Sequence, residues 1–322
     1  MGEVLAVATK VLYLIGAGRS SSTLINNILG EVPGVFGAGE VGSLWRFGYL
    51  EGRTCACGAH VSECEIWGPV IKRVGANAGS GLTPDDIVGI QDRYLRERHI
   101  GGLLTSAIGI PRRMPPDLQR YTKLATEVIM EAAEVSGAKL LVDASKAPGR
   151  AALIGLSDDI DLHFLHIVRD PRAVAFSWHR VRADRAPSRN LMASSLHWTT
   201  RNLATELLKR RLGTTYTLLR YEDFVAQPRE ALRPIVVMMG LDPEDLPFLS
   251  DRSVSFGIQH AISGRPAKFR SGAQEVHADE EWRLRQGGLA RTVTSAISFP
   301  LLHRYGYPWR VPKPAVVLPE VR

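Results

Sequence analysis

Residues Val11 to Glu40, VLYLIGAGRSSSTLINNILGEVPGVFGAGE, constrain the fold more than any other stretch, because they fit one arrangement of strand, small-residue turn, helix and second strand. The run Val11-Leu12-Tyr13-Leu14-Ile15 is short, continuous and apolar, the pattern of a strand covered on both faces of a parallel sheet. Gly16-Ala17-Gly18 permits a tight turn, and Arg19-Ser20-Ser21-Ser22-Thr23 then leads into Leu24, Ile25, Ile28 and Leu29 at helical spacing. Such a turn aims backbone N–H groups and the positive end of a helix dipole at whatever lies above it, which favours phosphate or sulfate. Hydroxyl residues at a helix start commonly act as N-caps; Ser20 is predicted to take that place, with Ser22 and Thr23 turned to the ligand. Val35 to Glu40 predicts a second strand that ends in a carboxylate, and strand ends are where open α/β sheets bind ligands.

Laid on Gly16, the Walker A pattern Gly-x4-Gly-Lys-Ser/Thr puts Ser21 at the second glycine and Ser22 at the lysine, so that only Thr23 matches. Without that lysine the loop is poorly equipped for a γ-phosphate. Arg19 still offers a planar fork of donors to a more diffuse anion such as a sulfuryl group, whose transfer requires no magnesium clamp.

Gly16-Ala17-Gly18-Arg19-Ser20-Ser21-Ser22-Thr23-Leu24 resembles the 5′-phosphosulfate loop of the sulfotransferases that use 3′-phosphoadenosine 5′-phosphosulfate (PAPS), with Gly18 where a proline is common and Ser21 where a glycine is common. A second segment, the apolar strand Leu162 to Val168 followed by Arg169-Asp170-Pro171 and a helix, is similar to the 3′-phosphate site of that family: Arg169 and Ser177, eight residues apart, match it in type and spacing. Pro171 suits the first position of a helix, where no N–H is needed, and Arg172, Arg180 and Arg182 add positive charge nearby. Three further segments follow in the family's order. Asp143-Ala144-Ser145-Lys146-Ala147-Pro148 resembles its Asp-x-Ser/Thr-Lys-x-Pro segment, and Thr215 to Phe224 resembles its Arg-Tyr-Glu-Asp strand. Gly264 to Gly272 looks like its late basic loop, with Arg265 at an often-asparagine position. The resemblance spans roughly residues 10 to 307 and is closest in motif to the tyrosylprotein and carbohydrate sulfotransferase branch.

The resemblance implies a three-layer α/β fold with a mostly parallel sheet, like the P-loop nucleotide-binding architecture, and PAPS as donor with 3′-phosphoadenosine 5′-phosphate (PAP) as product. It assigns cofactor binding to Gly18, Arg19, Ser20, Ser21, Ser22, Thr23, Arg169, Ser177, Tyr221, Lys268 and Arg270. In the tyrosylprotein branch a glutamate at the Arg19-to-Glu40 separation is the general base, which makes Glu40 the catalytic candidate, assisted by Arg19 and Lys146. A structural ion pair of Glu40 with Arg19 or Arg46 is the plain alternative, and because other branches use a histidine, His179 and His197 are rivals. Only eight of the 40 basic residues are lysines, and two of them, Lys146 and Lys268, fall inside these motifs. An ammonium near the bridging oxygen of a phosphosulfate stabilises the leaving phosphate; a solvated loop lysine is the bland reading. A phosphotransferase or nucleoside triphosphatase with a degenerate loop, and a noncatalytic nucleotide-binding protein, stay open as rival functions.

Length and composition suit one domain over residues 1–322, with 43–136 as a mainly helical cap inserted after the second strand. The chain is 45% hydrophobic yet has no apolar run long enough for a membrane span, and no signal-peptide core, so a cytoplasmic location is expected. A net charge of +7 suits an anionic cofactor, and no nucleic-acid-binding pattern is present. The acceptor is expected to be a small molecule, lipid or glycan, with Trp45, Phe47, Tyr49 and Trp67 of the cap either lining its pocket or forming the cap's core. The chemistry requires no metal. Cys55, Cys57 and Cys64, with His60 between them, fit a zinc set, a Cys55–Cys64 disulfide or a packed loop, and their spacing is that of no familiar zinc ribbon.

Overall fold

The computed structural model describes residues 8–77, 81–96, 114–180, 190–262 and 271–311. The predicted helix-and-strand unit is present: β1 (Thr9–Ile15), α1 (Ser22–Gly30) and β2 (Val35–Gly39). Val11 to Ile15 are buried without exception, and each large apolar side chain so covered contributes roughly 1.5–3 kcal/mol relative to exposure. After β2 come two short turns of 3-10 and π character over residues 41–50, then α2 (Trp67–Asn77), α3 (Pro84–Ile90) and the long α4 (Pro116–Ser136). The alternating segments β3 (Leu140–Lys146), α5 (Pro148–Ile154), β4 (Ile160–Val168), α6 (Pro171–His179), α7 (Leu191–Leu212) and β5 (Thr215–Arg220) follow. Helices α8 (Tyr221–Ala226) and α9 (Pro228–Met238) lead to a hairpin of β6 (Ser253–Phe256) and β7 (Gly272–Glu275), and α10 (Glu281–Arg285), α11 (Gly288–Ile297) and α12 (Phe299–Arg304) close the described chain.

The central sheet has five parallel strands in the order β2-β3-β1-β4-β5. One face is covered by α1, α8 and α9, whose Ile25, Ile28, Phe224 and Leu232 pack with Leu12, Leu14 and Val142. The other face is covered by α4 and α5, whose Tyr121, Leu124, Ile129 and Ile154 pack with Val11, Tyr13 and Leu141. The chain therefore leaves β1 on one face and β3 on the other, which opens a crevice at the carboxyl ends of these neighbouring strands.

Helix α4 shows how local pattern and packing agree. Leu118, Tyr121, Leu124, Ala125, Val128, Ile129 and Ala132 repeat at three- and four-residue intervals along its buried stripe. Pro116 opens the helix, and Gly137, at φ 65°, ends it in the left-handed region with its N–H bonded back to Glu134. The segment between β2 and β3 has no separate core: Trp67, Val70 and Val74 of α2 join the same apolar cluster as Val11 and Phe36. Trp67 is fully buried, its ring 5.8 Å from that of Phe36, and so belongs to the core and not to an acceptor pocket. Tyr49 is 48% exposed and Trp45 packs beside it at 6.1 Å. Lys268, Arg270 and Arg182 lie outside the described residues.

Candidate active site

The turn after β1 is built from strained backbone. Gly16 has φ +124°, and a Cβ there would sit 2.5 Å from the Ile167 carbonyl oxygen on β4, so only glycine fits. Arg19 and Ser21 take φ of 70° and 62°; with Lys146 at 63°, they are the non-glycine residues of positive φ among the described residues. Each such placement costs about 1–3 kcal/mol, and strain of this kind concentrates at functional sites. The cap expectation is corrected here. Ser20 Oγ is buried and donates to the Ala17 carbonyl (3.1 Å), which closes the turn. Ser21 occupies the N-cap position of α1 in a left-handed conformation without a side-chain cap bond. The first N–H groups of α1 thus receive no bond from the side chain at the cap position, and the helix starts in the turn that follows the carboxyl end of β1. The Arg19 guanidinium stacks on the Trp178 ring of α6 at 4.3 Å.

Glu40, just past β2, and Lys146, at the end of the neighbouring β3, meet beside this crevice, with Lys146 Nζ donating to Glu40 Oε1 at 2.9 Å. Two irregularities in the sheet aim them. Tyr13 pairs with Asp143 and Ile15 with Lys146, so β3 carries an extra residue opposite β1; Gly37 pairs with Val142 and Gly39 with Asp143, so β2 carries one opposite β3. Bulges of this kind bend a strand and redirect its last side chains. The Glu40 N–H donates to the Ile262 carbonyl (2.6 Å), and Gly39, at φ +75°, lies so close that a Cβ would come within 2.3 Å of the same oxygen. Lys146 Nζ also donates to the Ala144 carbonyl (2.6 Å), and Arg201 of α7 holds the Lys146 carbonyl at 3.1 Å. Of the alternatives expected for Glu40, Arg46 is bonded to Asp92, and the carboxylate of Glu40 is paired with Lys146.

Arg169 is buried just past the end of β4. Its Nη1 donates to the Arg19 carbonyl (3.0 Å) and its Nη2 to the Asp279 carbonyl (2.6 Å), and its plane lies over the Tyr221 ring at 4.1 Å. Tyr221 stands at the first turn of α8, where the expected strand has already ended at Arg220, and its hydroxyl accepts from the Asp279 N–H (2.8 Å). Ser177 lies in the second turn of α6, partly exposed. Two of the arginines expected to supply positive potential are already neutralised. Arg172 turns back on Asp170 through two hydrogen bonds (2.8 and 2.7 Å), and Arg180 is paired with Asp279 and Glu281. Arg172 is a buried strut that also donates to the Trp309 carbonyl (3.0 Å).

Beneath the site lies a layer of buried polar residues. Asp143 accepts from Ser145, whose hydroxyl also accepts from the Gly42 N–H (2.8 Å), and Arg150 stands 3.5 Å from it. Burial pushes the Asp143 carboxyl up, against the opposing pull of Arg150. His166, directly under Gly16, is hydrogen-bonded to Asn202 (2.8 Å) and Tyr216 (2.7 Å), and burial lowers its pKa to about 4.

No protein-family model matches this chain, and no curated protein matches it in sequence. Solved structures do. The sulfotransferase domain of the Synechococcus PCC 7002 olefin synthase is 19% identical, with 95% of this chain and 97% of that one covered at a TM-score of 0.50. The sulfotransferase domain from the curacin biosynthetic pathway gives 17% identity, coverage of 94% and 99%, and a TM-score of 0.49. The fold is the sulfotransferase fold. Within this sulfotransferase fold, the loop of residues 16–21, the Glu40–Lys146 pair and Arg169 all lie along the carboxyl edge of the sheet.

Several residues of the site are invisible to motif reading. Ile262 and Asp279 contribute through backbone atoms, which carry no residue signature, and Arg201 comes from the middle of a helix. Of the histidine rivals, His197 is buried with its ring 6.2 Å from that of Trp178, and His179 is exposed at the end of α6. No helix among the described residues is long and apolar enough to cross a membrane. The cysteines are unlinked, and the histidine that joins them is His260, not His60, whose ring faces Ser62 at 2.7 Å.

Proposed function

We propose that the protein is a PAPS-dependent sulfotransferase that moves a sulfuryl group to the hydroxyl of a small-molecule, lipid or glycan acceptor. The observation that carries this reading is the Lys146–Glu40 pair at 2.9 Å beside the uncapped start of α1: an acid/base group and a cation stand next to an anion cradle. In this reading the sulfuryl end of PAPS lies over residues 16–23 and the 3′-phosphate between Arg169 and Ser177, with the Tyr221 ring beside them. The Arg169-to-Arg19 carbonyl bond then couples the two ends of the nucleotide site.

Glu40 takes the proton of the acceptor hydroxyl as its oxygen attacks sulfur; the new O–S bond forms while the S–O bond to the 5′-phosphate breaks, and PAP leaves carrying the charge. Lys146 has three donors, of which one holds Glu40 and one holds the Ala144 carbonyl, so one remains for the bridging oxygen as it gains charge. Arg19 assists from the loop. Lys268 and Arg270 would close the donor site from the late loop. A glutamate base puts the chemistry nearest the tyrosylprotein and carbohydrate branch.

Calorimetric titration with PAP, with and without magnesium, and with adenosine triphosphate as competitor, tests the reading. Tight binding of PAP independent of metal is expected; preference for the magnesium triphosphate would replace the proposal with phosphoryl transfer. Because Arg169 also ties down two carbonyls, Ser177→Ala is the cleaner probe of the 3′-phosphate site.

A further inference from the structure

Away from the crevice, Cys55, Cys57, Cys64 and His260 place three sulfurs and a ring nitrogen within 4.8 Å of one another. Cys64 Sγ lies 3.6 Å from Cys55 Sγ and 3.3 Å from His260 Nδ1. A tetrahedral zinc ion, with bonds of about 2.3 Å to sulfur and 2.0–2.1 Å to nitrogen, has edges of about 3.7 Å between sulfurs and about 3.5 Å from sulfur to nitrogen. The observed separations are close to these edges. The surroundings are those of a thiolate site too. Backbone N–H groups of Ile66 and Trp67 donate to Cys64 Sγ, and that of Cys57 to Cys55 Sγ. The far nitrogen of the histidine, Nε2, is 3.0 Å from Glu65 Oε1, the carboxylate-on-histidine arrangement that fixes the ring so that Nδ1 faces a metal.

We propose that Cys55, Cys57, Cys64 and His260 form a structural zinc site that fastens the segment before residue 263 to the loop ahead of α2. Three thiolates and an imidazole are a soft set that selects zinc over hard cations, and four protein ligands leave no open position for catalysis. The site is independent of the sulfuryl-transfer reading. What it holds is close to the crevice. Trp67 Nε1 donates to the His260 carbonyl (2.5 Å), the Ala56 N–H to the Ala261 carbonyl (3.2 Å), and the Glu40 N–H to the Ile262 carbonyl (2.6 Å). Zinc therefore sets the position of the backbone that pins Glu40.

The test is the metal content of the full chain, purified under reducing conditions without chelator and measured by plasma mass spectrometry. About one zinc per chain is expected, and cobalt replacement is expected to give the thiolate charge-transfer and visible bands of a tetrahedral site. Cys57→Ala and His260→Ala are expected to lose the metal, and Glu65→Gln to weaken zinc binding roughly 10–100-fold. Zinc content no higher than in the Cys57→Ala chain after supplementation would overturn the proposal even if the other variants fail to fold. So would a peptide pair cross-linked through Cys55 and Cys64 as the main form of the reduced preparation.

Discussion

Acidification is expected to destabilise this protein through His166 before most carboxylates titrate. The ring is fully buried, with Nε2 facing the Asn202 amide oxygen and Nδ1 facing the Tyr216 hydroxyl. Glu206, whose oxygens bond Arg304 (2.7 Å) and Tyr305 (3.2 Å), favours the charged ring, whereas Lys209 and Arg304 oppose it; burial outweighs them all and sets the folded pKa near 4 against 6.5 unfolded. A histidine whose pKa is depressed by folding binds its proton more readily when unfolded, so stability falls as pH drops through 6.5 and the loss is complete below the folded value. The full span is about 3.4 kcal/mol, of which about 2 kcal/mol is lost by about pH 5. Urea melts at a series of pH values for the natural protein and for His166→Gln provide the assay. The variant is expected to be less stable near neutrality but to show a flatter dependence between about pH 6.5 and 5. Equal slopes in the two proteins would refute the argument, because the protonating group would then lie elsewhere. Since His166 lies 3.1 Å from where a Gly16 Cβ would be, charging it also presses on the anion loop, and PAP affinity is expected to fall over the same range.

Other perturbations separate fold from chemistry. Glu40→Gln keeps an acceptor for Lys146 but no base, so single-turnover transfer from PAPS to a phenol is expected to slow by about 10²–10⁴-fold with thermal stability nearly unchanged, because the pair is partly exposed. Ser177→Ala is expected to weaken PAP binding by about 1.5–3 kcal/mol in calorimetry, the range for a hydrogen bond to a charged group, and to leave adenosine binding alone unaffected. Gly37→Ala would put a Cβ 2.8 Å from the Asn26 carbonyl oxygen and part β2 from α1, with an expected loss of about 1–3 kcal/mol in denaturant melts.

The strand, turn and helix of residues 9–30 are legible because their signal is local: a buried strand, glycines and hydroxyl residues sit within one short stretch. Glu40 is legible as a carboxylate at a strand end, and Lys146 and Arg169 through the resemblance of their segments, yet the pairing of Glu40 with Lys146 is not, since the bulges that swing the two together depend on register between strands far apart in sequence. Ser20 was misjudged as the cap because left-handed backbone at Arg19 and Ser21 runs against the propensity of both residues. Arg172 reads in the sequence as added positive charge near Arg169; only the fold reveals that its guanidinium turns back on Asp170, two residues before it. His260 carries no local mark at all, being 196 positions from the Cys64 it faces.

The strand order also has a consequence for synthesis. β1 and β2 leave the ribosome early but are not partners, because β3, which begins at Leu140, must slip between them. Until it arrives, both strands present unpaired, apolar edges, and every pairing that closes the gap is long in sequence, which slows folding and exposes the nascent chain to aggregation. A translational pause or a chaperone acting before residue 146 emerges is therefore expected to govern yield more strongly than any single change in the finished core.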